Sequence, residues 1–234
     1  MRPAELELDR VTVRYEPHDA AVLDGVSFAV GEGERVALVG LNGSGKTTLL
    51  MAAVGLAAHE GEIRVGGISL SRRTVQQVRE RVGFLFNVPE DQLLFPTALE
   101  DVAFGLQRKG ASGRDARERA RAMLDALGVG QLAQEPLHHL SHGQKQRVAL
   151  AGALVTEPSL LLLDEPSAAL DPRATRGLWR LLREQRAAMV VATHDLGFAE
   201  ELCTRYVVLE GGRVSFDGGD GARVRELVEG EAER

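Results

Sequence analysis

The chain has 234 residues, 44% of them apolar, which suits one large domain, or one domain with a smaller inserted subdomain, around an ordinary globular core. Its formal net charge of −6 weighs against a nucleic-acid partner, because a duplex needs a basic face to neutralise its phosphates. Cys203 is the one cysteine, which excludes an internal disulfide and fits a reducing compartment. Met1 to Arg10 carries acidic residues and lacks an apolar h-region, so no signal peptide is expected there. The longest apolar run, Val148 to Val155, falls far short of the roughly 20 residues a membrane-spanning helix needs.

In chain order, Glu5 to Tyr15 carries Leu6, Leu8, Val11, Val13 and Tyr15, the pattern of an amphipathic strand. Val22 to Val30 predicts a second strand, and Gly31-Glu32-Gly33 the turn of a hairpin leading into an apolar strand at Arg35 to Val39. A glycine loop follows, then an apolar helix from Thr47 to Val54. Glu62 to Val65 predicts a strand closed by a Gly66-Gly67 turn, and Val82 to Phe86 a buried one. Pro89 to Thr97 reads as a loop. Glu100 to Leu127 is helical in pattern, with a break at Lys109 to Gly113, and Ser141 caps a helix to Val155. Leu160 to Leu163 is a strand of the fully buried, parallel kind. A helix at Ala174 to Arg186 and a strand at Met189 to Thr193 follow. Tyr206 to Leu209 and Arg213 to Phe216 flank a Glu210-Gly211-Gly212 hairpin turn, and the charged tail after Ala222 is helical. The alternation predicts an α/β fold with a parallel core, carrying a helical block between about Asp91 and Val155.

Gly40-Leu41-Asn42-Gly43-Ser44-Gly45-Lys46-Thr47 fits G-x-x-x-x-G-K-[ST] between a strand and a helix. Glycines let successive N–H groups converge on phosphate oxygens, and the helix N-terminus adds partial positive charge. Lys46 is expected to reach the β- and γ-phosphates of ATP and the Thr47 hydroxyl to bind Mg²⁺. Asn42 within the loop and Thr48 just after it are counted with the nucleotide site. Leu160-Leu161-Leu162-Leu163-Asp164-Glu165 puts two carboxylates at the carboxyl edge of a parallel sheet, where ligands bind. Asp164 is assigned to Mg²⁺ and Glu165 to the attacking water as general base.

Leu140-Ser141-His142-Gly143-Gln144 resembles the LSGGQ signature of the ABC-type ATPases, and Gln146-Arg147-Val148-Ala149-Leu150-Ala151 continues the resemblance. In that family the signature of one subunit contacts the γ-phosphate held by the other. The resemblance implies that Ser141, Gly143 and Gln144 face nucleotide bound by a second subunit, identical or homologous. His142 stands where the family usually has glycine. His194, in Ala192-Thr193-His194-Asp195, resembles the family's switch histidine, and Ser167 to Asp171 its D-loop, so Asp171 is counted with the nucleotide site. Tyr15 stands at the family's adenine-stacking position, or is a core aromatic at a strand end. Phe86-Asn87 occupies the place of the family's Phe-Gln, which implies a catalytic and metal-facing role for Asn87 through a shorter carboxamide. Gln92, five residues on, is not expected to replace it. The implied fold is a P-loop NTPase with a RecA-like parallel core, an antiparallel β subdomain and an inserted α-helical subdomain (about 91–155), as one ABC ATPase domain over residues 1–234.

Asn87 to Thr97 followed by Glu100-Asp101-Val102-Ala103-Phe104-Gly105 is similar to the ATPase components of energy-coupling-factor importers, the cobalt and nickel type especially. Leu93, Leu94 and Phe95 either line an apolar groove for a helix of an integral membrane subunit or pack the helical insert. Several members of that subfamily carry a C-terminal extension that aids dimerisation. This chain ends at Arg234, so either nucleotide alone holds the dimer or the kinship to the metal-uptake branch is looser. The resemblance implies an ATPase on the cytoplasmic face of the cell membrane that energises import of a metal ion or a small vitamin-like solute. Two alternatives stay open: an ABC ATPase working mechanically on nucleic acid or ribosomes, and a regulatory subunit with weak hydrolysis.

Overall fold

The computed structural model describes residues 4–16, 20–168 and 170–232, which fall into two units. The first comprises the described residues within 4–82, 159–164 and 186–232. Its opening strand, β1 (Ala4–Val13), buries Leu6, Leu8, Val11 and Val13. The step from Leu8 to Val11 breaks a two-residue period, and the register shifts there, with Arg10 in the left-handed region at φ 51°. This bulge returns Val11 and Val13 to the buried face. Gly61 fits beneath it, since a Cβ at that position would lie 2.3 Å from the Arg10 carbonyl oxygen. β1 pairs antiparallel with β2 (Leu23–Gly31) and β4 (Glu60–Val65), and β4 with β5 (Ile68–Ser69), giving the order β2-β1-β4-β5.

The second sheet is built on strands apolar on both faces. β3 (Arg35–Val39), β7 (Leu160–Asp164) and β8 (Ala188–Ala192) are buried almost throughout. β8 lies parallel between β7 and β3, β3 lies parallel to β9 (Arg205–Glu210), and β10 (Arg213–Gly218) closes the expected antiparallel hairpin on β9. Continuous apolar runs such as Leu160–Leu163 are what a doubly covered parallel strand requires. Truncating one should therefore be costly. Leu162→Ala is expected to remove about 2–5 kcal/mol of stability, seen as a lower denaturant midpoint with an unchanged slope.

The predicted hairpin at Gly31-Glu32-Gly33 is corrected: β2 pairs with β1, and β3 with β8 and β9. β2 alternates exposed and buried residues whereas Val36–Val39 are all buried, so the two strands suit different sheets despite the tight turn. Two short helices went unpredicted. α2 (Val75–Arg81) buries only Val78, too little for a periodic signal. α7 (Leu196–Leu202) is signalled only by its cap, Asp195, whose side chain accepts from Phe198 N. The unit also holds α1 (Lys46–Ala53) and the tail helix α8 (Gly221–Ala232). Cys203 is buried, and desolvation pushes its thiol up to about 12, leaving it protonated and unreactive.

The second unit, Gly83–Pro158 with Glu165–Gln185, is mainly helical. The end of β6 (Val82–Leu85) leads into a 3-10 turn at Pro89–Asp91, within the stretch expected as loop. α3 (Ala98–Arg108) and α4 (Gly113–Ala126) flank the expected break, α5 (His142–Leu154) follows Ser141, and α6 (Pro172–Glu184) follows Asp171. Thr97, Ser112 and Asp171 each accept a backbone N–H from the first turn they cap. Ser141 begins a capping box in which its own N–H reaches Gln144 Oε1 at 2.7 Å. No helix among the described residues is long and apolar enough to cross a membrane.

Candidate nucleotide site

One row of the parallel sheet organises the first unit's site. Leu38 pairs with Ala192, and Ala192 with Asp164. Gly40 and His194 each lie two residues beyond that row, so the glycine loop, Asp164 and His194 share the carboxyl edge of the sheet. The loop's shape depends on its glycines. Gly40 has φ 150°, and a Cβ there would lie 2.3 Å from the Leu209 carbonyl oxygen. Gly45 has φ 103°, and its Cβ would lie 2.6 Å from Leu23 Cδ2. Gly43, by contrast, faces open space on its Cβ side.

Within this cradle Lys46 is 7% exposed, and its ammonium donates to the carbonyl oxygens of Gly40 at 2.8 Å and Leu41 at 3.1 Å. α1 starts at Lys46 behind Gly45, which supplies no side-chain cap, and its first turn holds no acid. Its N-terminal N–H groups are thus left for an anion. Ser44 Oγ is buried without a hydrogen-bond partner, although a buried hydroxyl ordinarily has one. An orphaned donor, a buried lysine and an uncapped helix start fit phosphate oxygens. Thr47 Oγ1 donates to Asp164 Oδ2 at 2.6 Å, and Asp164 is 2% exposed. A hydroxyl and a carboxylate in contact are hard oxygen donors suited to Mg²⁺.

Tyr15 is 65% exposed, which removes the core-aromatic alternative, and its OH lies 3.1 Å from Thr48 Oγ1 beneath it. Asn42 is exposed on the loop, and His194 is exposed after β8. The adjoining Thr193 is fully buried, and its Oγ1 accepts Asp195 N–H at 3.0 Å, fixing the chain beside the histidine. The structure therefore brings Tyr15, Gly40 to Thr48 and Asp164 together, with His194 on the same edge.

Asn87, Ser141 to Gln144, Glu165 and Asp171 belong to the second unit. Glu165, next in the chain after Asp164, is 9% exposed and has φ 49°, a left-handed conformation that is costly for a side-chain-bearing residue. Its carbonyl oxygen accepts Gln146 Nε2 at 3.3 Å and Ala168 N–H at 3.1 Å, which hold that backbone turn. Asn87 is exposed at the end of β6. Gln92 has its carboxamide engaged within the unit and is not available to replace Asn87's. Ser141 and His142 are exposed at the start of α5, while Gln144 closes the cap. Asp171 Oδ1 accepts Ala174 and Arg173 N–H, each at 2.8 Å, and these bonds hold its carboxyl below the ordinary range. Of the segment Ser167 to Asp171, position 169 lies outside the described residues. Gln146 and Thr193 serve the backbone of Glu165 and Asp195, roles without a sequence signal, because a polar residue in an apolar stretch does not say which backbone group it serves.

The ABC transporter family pattern matches residues 23–168. A candidate ABC transporter ATP-binding protein of Gloeobacter violaceus is 50% identical over 205 residues, covering 86% of this chain and 84% of its own. The energy-coupling factor transporter ATP-binding protein EcfA of Carboxydothermus hydrogenoformans is 38% identical over 217 residues, covering 91% and 80%. A solved ATP-binding cassette, in a dimeric post-hydrolysis state bound to ADP and Pi, superposes with a TM-score of 0.83 at 31% identity, covering 92% of this chain and 98% of that one.

Proposed function

The chain belongs to the ABC transporter family as an ATP-hydrolysing, ATP-binding subunit, and on that footing we propose that two such subunits enclose ATP to drive an energy-coupling-factor importer. The observation that carries the catalytic part is the pairing of Thr47 with Asp164 beside an orphaned Ser44 hydroxyl, at the end of a buried strand. In this reading the loop N–H groups of Gly40 to Thr47, with Ser44 and Lys46, hold the phosphates, and the Tyr15 ring covers adenine. Thr47 and Asp164, with Asn87, would hold Mg²⁺, which would neutralise charge on the β- and γ-phosphates. Glu165 accepts a proton from the attacking water, and His194 orients that water and the γ-phosphate. Asn42 and Thr48 support the loop. The facing subunit contributes Ser141, Gly143 and Gln144, and Asp171 fixes the D-loop at the shared edge.

We read residues 1–234 as one ABC ATPase domain with its helical subdomain at about 91–155, peripheral on the cytoplasmic face of the membrane. Leu94 is 79% exposed, and the ring of its neighbour Phe95 lies 4.6 Å from that of Phe104 in α3. That apolar surface suits a helix of an integral membrane subunit. The relationship to the EcfA protein supports the energy-coupling-factor type of importer, and we read its solute as a metal ion such as cobalt or nickel, or a small vitamin-like molecule, from the resemblance carried by Asn87 to Gly105. Affinity purification of the tagged chain from detergent-solubilised membranes tests the reading. Recovery of an integral membrane subunit supports it, and recovery of ribosomes or nucleic acid instead rejects it.

The exposed Asn87 gives the weak-hydrolysis alternative its own test. Asn87→Gln is expected to leave steady-state ATP turnover within about threefold of wild type. A gain above about tenfold would mean that the native carboxamide is too short for its role.

A further inference from the structure

Two side chains fasten the segment after β6 to α5, all within the second unit. Gln92 Oε1 accepts Phe86 N–H at 3.1 Å, and its Nε2 donates to Phe84 O at 3.2 Å and to Ala149 O at 2.9 Å. One carboxamide thus joins the end of β6 to the middle of α5. Glu90, in the 3-10 turn, accepts from Lys145 Nζ at 2.8 Å and lies 3.8 Å from His142 Nδ1. Lys145 and His142 stand in the first turn of α5, His142 within the signature sequence and Lys145 directly after it. The Lys145 hydrogen bond is the largest cause holding the Glu90 carboxyl below its ordinary range.

The segment is also stiff in itself. Asp91 N–H donates to Val88 O, and the N–H groups of Gln92 and Leu93 to Pro89 O. Beyond them Asp101 Oδ1 accepts Leu94 N–H at 2.8 Å and Phe95 N–H at 3.1 Å. Lys145 and Ala149 are four residues apart, so the two attachments are spaced about 6 Å along the axis of α5. Fastened at two points, α5 cannot pivot on the segment without breaking one of them. The Gln92 link is the stiffer, because its loss removes three part-buried hydrogen bonds, among them the one to the Phe86 N–H, whereas a partly exposed ion pair is readily replaced by water.

We propose that Gln92, with Glu90, is a positioning residue for coupling to the membrane subunit: it locks the Asn87 to Phe95 segment to α5, so that a membrane subunit pressing on Leu94 moves Ser141 to Gln144 with it. This rests on the proposed roles of that segment and of the signature. The hydrogen bonds of both side chains go to protein groups of the second unit.

The test uses the assembled transporter and measures the ratio of its ATP turnover to that of the free ATPase subunit. Gln92→Leu should keep the free subunit's turnover and KM for ATP within about twofold, and lower the ratio about tenfold. Glu90→Lys should also lower the ratio, and adding Lys145→Glu should restore it to within about twofold by re-forming the pair in reverse. A purely structural role would lower free and assembled turnover together and leave the ratio unchanged, and that result overturns the proposal. If the wild-type ratio is itself unity, the membrane-coupling reading has failed. The lock is then judged by hydrogen exchange on the free chain. Faster exchange across His142 to Gln146 in Gln92→Leu supports it, and unchanged exchange there overturns it.

Discussion

Glu165→Gln is expected to cut steady-state ATP turnover by about 10²- to 10⁴-fold, the range for loss of a general base, while leaving the dissociation constant for ATP within about threefold. The substitution keeps the side chain's size and removes only its capacity to take a proton. The left-handed backbone at Glu165 is braced through its carbonyl oxygen by Gln146 and Ala168, so the amide variant retains the same support. Retention of binding separates this site from the loop. Turnover at the wild-type rate would place the base elsewhere, and His194 would be the next group to substitute.

Lys46→Ala should act on the other half of the chemistry. Its buried ammonium lies under the loop, held by two carbonyl oxygens. Hydrogen bonds to a charged group contribute about 1.5–3 kcal/mol, so the dissociation constant for ATP should rise about 10- to 100-fold, with turnover lost in parallel. Calorimetric titration of ATP into the variant checks this, and a circular dichroism spectrum like that of wild type shows that the fold persists. Unchanged affinity would mean that the phosphates do not reach Lys46, and would contradict the use of Gly40 to Thr47 as their cradle.

The parts of this site that sequence revealed are those whose chemistry is local. Gly40 to Thr47 carries its own backbone requirements, Leu160–Leu163 declares a doubly buried strand, and Ser141 with Gln144 spells a helix cap within four residues. The hairpin error at Gly31 to Gly33 arose because a tight turn is equally good at joining two sheets, and only the burial of β3 decides between them. α2 and α7 are too short for their periodicity to stand out. The Gln92 link was invisible because Ala149 lies 57 residues away along the chain. The left-handed turn at Glu165 likewise depends on Gln146, in α5, rather than on any local glycine. The orphaned Ser44 hydroxyl became informative only once its surroundings were seen to be closed.

In the proposed mechanism Gly40 to Thr47 forms half of a site which a second subunit completes through Ser141 to Gln144. The most direct measurement is the solution mass of Glu165→Gln by light scattering, with and without ATP, beside the same variant also carrying Ser141→Arg. With ATP the mass of Glu165→Gln should double, and adding Ser141→Arg should hold it at the monomer value although ATP still binds. A chain that binds ATP with full occupancy yet stays monomeric in both forms would contradict the claim.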